Sequence, residues 1–416
     1  MRRGAAAGVM ARFPAECVLS GARVALDPWR TVRATIVVRN GKIEAVLPDS
    51  EPPAGLAKSV RVMNLKDHLI LPGLVNAHDH LHFGIFPRLG DGPYPSWREW
   101  AKDIHHPEKP PLLDLLKIRK ETLLWRGAIH NALAGVTTVC HHDAPHLLMA
   151  SNALPVKVMT DCGWAHSLDD PQWVRRYAQT PADRPFIIHF AEGTDARSRR
   201  EVQRLERKVK LNERLVLVHA IGVSQLDWLN LRAAGVWIVW CPTSNLHILG
   251  QTLARDLLLS YPSIALGSDS PLSAAGDLLD ELQAARSLLD LPSHLLYRMV
   301  TIRAARLLRL SGSHGSITEG GVADLVTVRD HGQPPCDSLV ALSRRDIAAV
   351  MHGGKITVAS HEFYMQRDLN IERQLFPYHY HGLQWHVAAP PEVLTLQAPQ
   401  SDGTPLSRLT EELTNQ

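Results

Sequence analysis

The feature that most constrains the fold of this chain is a repeated alternation between short apolar runs and longer amphipathic stretches. The apolar runs end in polar residues and cover 69–76, 135–140, 155–160, 185–190, 215–219, 235–241 and 263–267. From His189 to His219, Cys241 and Asp269 the steps are 30, 22 and 28 residues, enough for one strand, one helix and two loops each. This rhythm predicts βα units around a parallel sheet.

Seven such strands are evident, whereas a TIM-like (β/α)8 barrel requires eight. Only 25 residues separate Thr160 from Pro185, which is short for an additional βα unit. The eighth strand is therefore a short one near Trp164 or within 173–177, or the strand numbering is shifted by one. The apolar periodicity predicts the main helices over 112–134, 201–209, 224–234 and 276–289.

Both ends of the chain have the alternating pattern of antiparallel strands. In the first part, two such runs flank Asn40-Gly41, a sequence typical of tight hairpin turns. We therefore expect an α/β protein in which 16–70 and 320–360 form one small β-sandwich domain. The barrel would cover 71–319, and 361–416 would be a partly disordered C-terminal extension.

Composition excludes several classes of function. The 45 basic residues are scattered among 42 acidic ones, with a net charge of +3, and no basic stripe indicates nucleic-acid binding. No apolar segment is long enough to cross a membrane. Five cysteines without a CxxC pair favour reduced thiols and a cytoplasmic location. The apolar stretch near the N-terminus is broken at Arg12 and is too short for a secretory signal, so we expect a frayed N-terminus, with a cleaved leader as the alternative.

Histidines and carboxylates follow several of the predicted strands. His78 and His80 are two residues apart, so on a strand both side chains point to the same side and can face one ion. The pair alone is weak evidence, because the chain has 22 histidines and His80 and His82 fit the same pattern. Its context is more informative.

That context is a series of motifs in a fixed order. The first is Leu71-Pro72-Gly73-Leu74-Val75-Asn76-Ala77-His78-Asp79-His80, and the others begin at Gly135 (GVTTV), His189 (HFAE), Val218 (VHA), Cys241 (CPTSN), Leu266 (LGSDS) and Gly315 (GSITEGGVAD). Over roughly 20–360 the chain resembles the amidohydrolase superfamily, in particular its cytosine deaminase and chlorohydrolase-like branch.

The resemblance implies a metal-dependent hydrolase with one divalent ion. His78, His80, His189 and Asp269 would be the ligands, a set suited to Zn²⁺, with Fe²⁺ as the alternative. His219 would orient the attacking water, and Glu192 would move protons, with Asp269 as a further acceptor. No lysine ends a strand between Lys157 and His189, which favours one ion over the bridged pair of other branches.

Other positions have two readings each. His82, His141, His142, Ser270 and Ser273 are candidate substrate contacts, although the histidines could equally have supporting or surface roles and the serines could cap a turn. Glu192 could be a solvated loop charge. The aromatic and proline-rich segment 86–111 follows the first strand and is a candidate lid.

These features predict hydrolysis of a non-peptide C–N bond in a small molecule, as in an aminohydrolase or deaminase. The alternative within the same chemistry is a hydrolase of cyclic amides, imidazolones or N-acyl groups. The alternative from another class is a catalytically silent barrel that serves as a scaffold, against which the presence of all five metal-site positions argues. The only partner predicted is the substrate, and a homo-oligomer is left open.

Overall fold

The computed structural model describes residues 17–48, 52, 60–366 and 375–395. The N-terminus expected to be frayed and the polar tail from residue 396 lie outside these ranges. The chain divides into two compact units. One combines Met1–Gly73 with Ser311–Ala388, and the other combines Leu74–Leu310 with Ala389–Gln416. No helix among the described residues is long and apolar enough to span a bilayer.

Strands occur in both units. In chain order they are β1 Cys17–Ala25, β2 Thr31–Arg39, β3 Lys42–Pro48, β4 Arg61–Asn64, β5 His68–Pro72, β6 Leu74–Asp79, β7 Val136–His141, β8 Lys157–Met159, β9 Gly163–Ala165, β10 Phe186–Phe190, β11 Leu215–His219, β12 Trp237–Trp240, β13 Ile264–Leu266, β14 Leu325–Arg329, β15 Ile347–His352, β16 Lys355–Ser360, β17 Phe376–Tyr380 and β18 Leu383–Val387.

Most of the helices lie between the central strands. They are α1 Trp97–Ile104, α2 Leu112–Leu115, α3 Lys120–Leu133, α4 Leu147–Ala150, α5 Trp173–Gln179, α6 Glu201–Glu206, α7 Gln225–Ala233, α8 Pro242–Leu249, α9 Arg255–Ser260, α10 Leu278–Leu289, α11 Ser293–Met299, α12 Ile302–Leu307, α13 Pro335–Val340, α14 His361–Met365 and α15 Pro391–Leu394. The helix predicted over 112–134 is divided into α2 and α3.

The unit that holds β6 to β13 is an α/β assembly with parallel sheets, as predicted. Strands β6, β7 and β8 form one sheet, and β9 to β13 form another in sequence order, with every pair parallel. The eighth strand is the short β9 at Trp164, whereas the alternative position at 173–177 lies in helix α5. The ladders of the described strands do not close: β8 and β9 belong to different sheets, and a single parallel bridge between Asp79 and Asp269 links β6 to the segment after β13.

The other unit contains one ten-stranded, mainly antiparallel sheet with the order β17-β18-β16-β15-β14-β5-β1-β2-β3, in which β4 pairs with β1. Its β2–β3 hairpin turns at Asn40 and Gly41, whose φ angles of 51° and 70° are those of the expected tight turn. Strands β17 and β18 come from the C-terminal extension. The sequence prediction of one strand over 69–76 is wrong, because the run divides at Gly73 into β5 of this sheet and β6 of the parallel one.

The interior of the parallel unit is filled by side chains from the strands themselves. Val75, Ala77, Val216, Val218 and Val239 pack in one cluster and are at most 1% exposed. Burying a valine side chain stabilises a fold by roughly 1.5–3 kcal/mol. This packing holds the strands in place and thereby positions the polar residues at their carboxyl ends.

A buried carboxylate ties together the loops of the antiparallel unit. Asp324, 2% exposed, accepts hydrogen bonds from Nδ1 of His314 (3.1 Å), Nδ1 of His352 (3.0 Å) and the backbone N–H of Gly353 (2.8 Å). Burial alone would raise its pKa, but these partners hold the pKa of Asp324 well below its usual range. The charged form is therefore part of the folded state.

We expect Asp324→Ala to lower the free energy of unfolding by about 2–5 kcal/mol, because it leaves buried donors without an acceptor. Urea unfolding measures the change, and Asp67→Asn, at an exposed position, is the control. Since the folded pKa lies below the unfolded value of about 3.9, this stabilisation is present above that pH and is lost as pH falls below it. If Asp324→Asn loses stability at acid pH in the same way as the unaltered protein, the charged form of Asp324 does not stabilise the fold as stated.

Candidate active site

The carboxyl ends of the parallel strands bring the predicted metal ligands together. His78 lies in β6 and His80 directly after it, His189 lies in β10, and Asp269 follows β13. His78 is fully buried, and His189 and Asp269 are 6% and 5% exposed. Parallel strands end at one edge, which is why residues almost 200 positions apart in the chain meet here.

The spacing of the four ligand atoms fits a single divalent ion. Nε2 of His189 lies 3.2 Å from Nε2 of His78 and 3.3 Å from Nε2 of His80. Oδ1 of Asp269 lies 3.3 Å and 3.5 Å from the same two nitrogens. Four ligands at about 2.0–2.1 Å from a tetrahedral zinc ion are about 3.3–3.4 Å apart. The donor set and its separations therefore suit such an ion.

Hydrogen bonds fix the tautomers of two site histidines. The Nδ1–H of His189 donates to the carbonyl of His166 at 2.8 Å, and that of His219 donates to Oδ1 of Asn245 at 2.8 Å. Each ring is then left with an unprotonated Nε2, the form in which a histidine can bind a metal or accept a proton. Sequence reasoning did not assign a role to His166 or Asn245. His166 lies in no motif, and Asn245 is the last residue of the CPTSN motif.

Asp269 is held by its own set of donors. Its Oδ2 accepts hydrogen bonds from the hydroxyls of Ser244 at 2.5 Å and Ser273 at 3.0 Å, which leaves Oδ1 for the ion. Burial alone would raise the pKa of Asp269, but the hydrogen bond with His78 and the nearby histidines hold it well below the usual range. The structure thus places Ser273 against a predicted metal ligand, whereas Ser270 is buried at the start of the turn that follows.

Backbone strain is concentrated at these strand ends. Of nine non-glycine residues with positive φ among those described, four lie here: Ala191, His219, Ala220 and Asp269, with φ of 47°, 73°, 59° and 54°. Such conformations cost about 1–3 kcal/mol each and persist where the surroundings hold them. They turn the chain sharply after each strand, so that the side chains face the site.

Glu192 is buried next to His219 and is not a solvated loop charge. It is 7% exposed, and its Oε2 lies 3.7 Å from Nε2 of His219. Burial raises the pKa of Glu192 to about 7, His219 opposes the rise, and Asp269 and Glu201 add to it. The backbone N–H of Ala191, just before it, donates to Glu201 at 2.7 Å. A carboxyl group with this pKa can accept and release a proton near neutral pH.

Asp79, the last residue of β6, is a second buried carboxylate with several hydrogen-bond donors. Oδ2 of Asp79 accepts hydrogen bonds from Asn131 (3.0 Å), Ser268 (2.7 Å) and Asn76 (3.2 Å). Burial is the main cause that raises the pKa of Asp79 to about 7. Because Asp79 stands between His78 and His80, this network fixes the direction in which both histidines point. No sequence motif indicated the role of Asn131.

The remaining predicted histidines fall into two groups. His82 and His141 lie with Asp143 in a separate cluster, in which Nε2 of His82 is 3.6 Å from Oδ2 of Asp143. Burial lowers the pKa of His82 to about 4 and that of His141 to about 3. His142 instead lies against the metal-site histidines, with its ring centroid 4.3 Å from that of His189.

The segment 86–111, the candidate lid, is attached to the edge of the site. The backbone N–H of Trp97 donates to the carbonyl of Glu192 at 3.1 Å, and that of Thr194 donates to the carbonyl of Pro95 at 2.8 Å. Arg98 forms ion pairs with Asp169 at 2.6 Å and with Glu201. These contacts make helix α1 a fixed wall of the site in this structure.

Comparison with known proteins identifies one family. The model of the amidohydrolase family matches residues 156–357, just under half of the chain. The resemblance inferred from the motifs is thereby confirmed, and the protein is an enzyme that hydrolyses carbon–nitrogen bonds other than peptide bonds.

Curated relatives align with most of the chain. The 5-methylthioadenosine/S-adenosylhomocysteine deaminase of Pyrococcus furiosus is 24% identical, over 81% of this chain and 93% of the relative. The protein of the same name from Syntrophobacter fumaroxidans is 26% identical, over 81% and 91%. An imidazolonepropionase of Klebsiella pneumoniae is 42% identical over 52 residues, 12% of each chain.

Solved structures share the fold. An adenosine deaminase of Xanthomonas campestris with bound zinc has a TM-score of 0.65 at 21% identity, covering 83% of this chain and 93% of that one. An atrazine chlorohydrolase of Arthrobacter aurescens, complexed with zinc and atraton, has a TM-score of 0.66 at 19% identity, covering 82% and 95%.

The spacing of the predicted ligands predicts that the purified protein holds about one divalent ion per chain. His189→Ala should lower metal content, because it removes a nitrogen that is 3.2–3.3 Å from two other ligand atoms. Elemental analysis after dialysis measures the ratio, and circular dichroism checks that the variant is folded. Two ions per chain in the unaltered protein would contradict a mononuclear site.

The separation of His82 from the four ligand atoms predicts which neighbouring histidines bind metal. His78→Ala should lose the ion, whereas His82→Ala, two residues beyond His80, should keep it. Elemental analysis of both variants decides which of these histidines bind the ion. Loss of the ion from His82→Ala, with His78→Ala unaffected, would shift the ligand assignment by two residues.

Proposed function

We propose that this amidohydrolase is a deaminase that removes an amino group from a small nitrogen heterocycle. The observation that carries the proposal is Glu192, a buried carboxyl group 3.7 Å from His219 whose pKa is raised to about 7. Replacing an amino group by oxygen requires a base that deprotonates water and then an acid that protonates the departing nitrogen. One group with a pKa near the working pH can do both in turn.

The proposed metal ligands are His78, His80, His189 and Asp269, and the proposed ion is Zn²⁺ in preference to Fe²⁺. Three imidazole nitrogens and one carboxylate oxygen at tetrahedral spacing support zinc, and two proteins of this fold contain it. When bound, the ion supplies Lewis-acid activation of a water molecule near neutral pH.

The side chains around the ion would divide the proton transfers. His219, whose Nδ1–H is used by Asn245, accepts a hydrogen bond at Nε2 and orients the attacking water. Glu192 takes a proton from this water as oxygen adds to the carbon that bears the amino group. Glu192 then gives the proton to the nitrogen, the carbon–nitrogen bond breaks, and ammonia leaves. Asp269 is the second candidate acceptor for the remaining proton.

A flat heterocycle fits the aromatic side chains at the mouth of the site. The Trp97 ring lies 5.0 Å from His166, which in turn lies 5.1 Å from His189. The ring centroid of Phe83 lies 6.0 Å from that of His80. Trp97 and Phe83 are both partly exposed. Such rings can stack on a planar substrate. The names of the curated relatives make 6-aminopurine nucleosides the first compounds to test.

Further substrate contacts are proposed for His82 and His141, which flank the metal ligands, and for Ser270. The contact of Ser273 with Asp269 supports a holding role in place of a substrate contact. The short match to an imidazolonepropionase favours a second candidate, hydrolysis of a cyclic amide or imidazolone ring. The two reactions differ in product, because ring opening releases no ammonia.

We further propose that the two parallel sheets are arcs of a (β/α)8 barrel. Eight parallel strands in sequence order and the bridge between Asp79 and Asp269 support this arrangement. The antiparallel sheet would form the proposed β-sandwich, since a ten-stranded twisted sheet usually curls or splits into layers. A cytoplasmic location is proposed because none of the five cysteines forms a disulfide.

A substrate panel tests the reaction. We expect ammonia release from one or more 6-aminopurine nucleosides or amino-substituted heterocycles by protein loaded with Zn²⁺, measured by an enzyme-coupled ammonia assay. Chelator-treated protein should be inactive until zinc is restored. Turnover of imidazolones or lactams without ammonia would replace the deaminase by the second candidate.

The role of Glu192 is tested by Glu192→Gln. The variant keeps the shape of the side chain but cannot titrate, so kcat should fall by roughly 10²–10⁴ while metal content and most of the substrate affinity remain. Glu206→Gln, at an exposed glutamate of α6, is the matched control. A near-normal kcat in Glu192→Gln would move the proton transfer to Asp269 or a histidine.

A further inference from the structure

His142 is a fifth histidine at the proposed metal centre. It follows β7 directly and is 3% exposed. Its backbone N–H donates to the carbonyl of Asp79 at 2.9 Å, which keeps it beside the strand that supplies His78 and His80. Its ring centroid lies 4.9 Å from that of His78 and 4.3 Å from that of His189.

Only one nitrogen of the His142 ring is used by the protein. Nε2 lies 3.0 Å from the carbonyl oxygen of Ala165, a contact in which the ring must donate. In the neutral ring this leaves Nδ1 with a lone pair. Among the described residues, Nδ1 of His142 has no hydrogen-bond partner although it is buried. A buried acceptor without a donor is unfavourable, so a missing partner is expected.

The surroundings indicate that the missing partner is a cation. Ring nitrogens of His78, His80, His142 and His189 all lie within 4.8 Å of one another. His189 donates through Nδ1 to a carbonyl and His142 donates through Nε2 to another. Each ring is therefore left with one nitrogen that carries a lone pair, in a buried cluster of four imidazoles. Lone pairs that converge in this way repel one another unless a positive ion lies between them.

We propose that Nδ1 of His142 is an additional direct ligand of the catalytic ion, beside His78, His80 and His189. The inference rests on the metal centre of the proposed function and adds a ligand to it. It gives the chain a set of four histidines that can hold an ion without Asp269. This set distinguishes His142 from His141, its equally buried neighbour, which is not part of the group.

Cobalt substitution tests the proposal. Metal-free protein is reloaded with Co²⁺, whose visible absorption depends on the number and type of its ligands. His142→Ala should change the position and intensity of the bands and weaken Co²⁺ binding in a chelator competition. His141→Ala is the matched control, because that ring is 4% exposed and also has an unpartnered nitrogen, Nε2. A His142→Ala spectrum identical to that of the unaltered protein would overturn the proposal.

A second variant protects the test against misfolding. If His142→Ala is not folded by circular dichroism, His142→Asn is used, because its amide keeps a donor for the carbonyl of Ala165. The same spectral change is expected. Addition of imidazole to His142→Gly should restore the original absorption bands. If imidazole does not restore them and the spectrum of His142→Asn is unchanged, a direct bond between His142 and the ion is rejected.

Removal of Asp269 gives an independent measurement. Asp269→Asn should retain most of its Co²⁺ through the four histidines, and the double variant with His142→Asn should lose it. Equal metal content in the two would overturn the proposal. Ammonia release by the unaltered protein is measured separately. Its absence, with the spectral effect of His142 intact, would reject the proposed deamination and leave the ligand assignment standing.

Discussion

The site depends on backbone pairing between the first parallel strand and the segment after the last one. The N–H groups of Ser268 and Asp269 donate to the carbonyl of His78, and the N–H of His80 donates to the carbonyl of Asp269. Main-chain hydrogen bonds thus set the distance between Asp269 and the two histidines, His78 and His80. Any change in the register of this pairing would move Asp269 relative to both histidines, whatever the side chains did.

Burial then gives the carboxyl groups different chemistry. Asp269 is held in the charged form by histidines and two hydroxyls, whereas burial raises the pKa of Glu192 and Asp79 to about 7. The difference comes from what each group faces. Asp269 is surrounded by histidine rings and hydroxyl donors, but Glu192 lies near the carboxylates of Asp269 and Glu201. Environments that separate pKa values in this way separate the roles of ligand and proton carrier.

The first turn of α8 holds several side chains of the site in place through hydrogen bonds. Thr243 is anchored through its backbone N–H and hydroxyl to the buried Glu281. The next two residues, Ser244 and Asn245, bond to Asp269 and His219. Three consecutive residues therefore join Asp269, His219 and helix α10. A rigid element of this kind limits the orientations of side chains that must act together.

The sequence by itself determined the local features: the parallel strand rhythm, the hairpin at Asn40-Gly41 and the set of candidate ligands headed by His78 and His80. These follow from alternation and turn chemistry, which act over a few residues. The tertiary structure alone decided which of the two possible positions holds the short strand, the division at Gly73, the fixed position of 86–111, the contact of Ser273 with Asp269 and the location of His142 among the candidate metal ligands. The reason is that distances between strands depend on register and packing, and these are set by residues far apart in the chain.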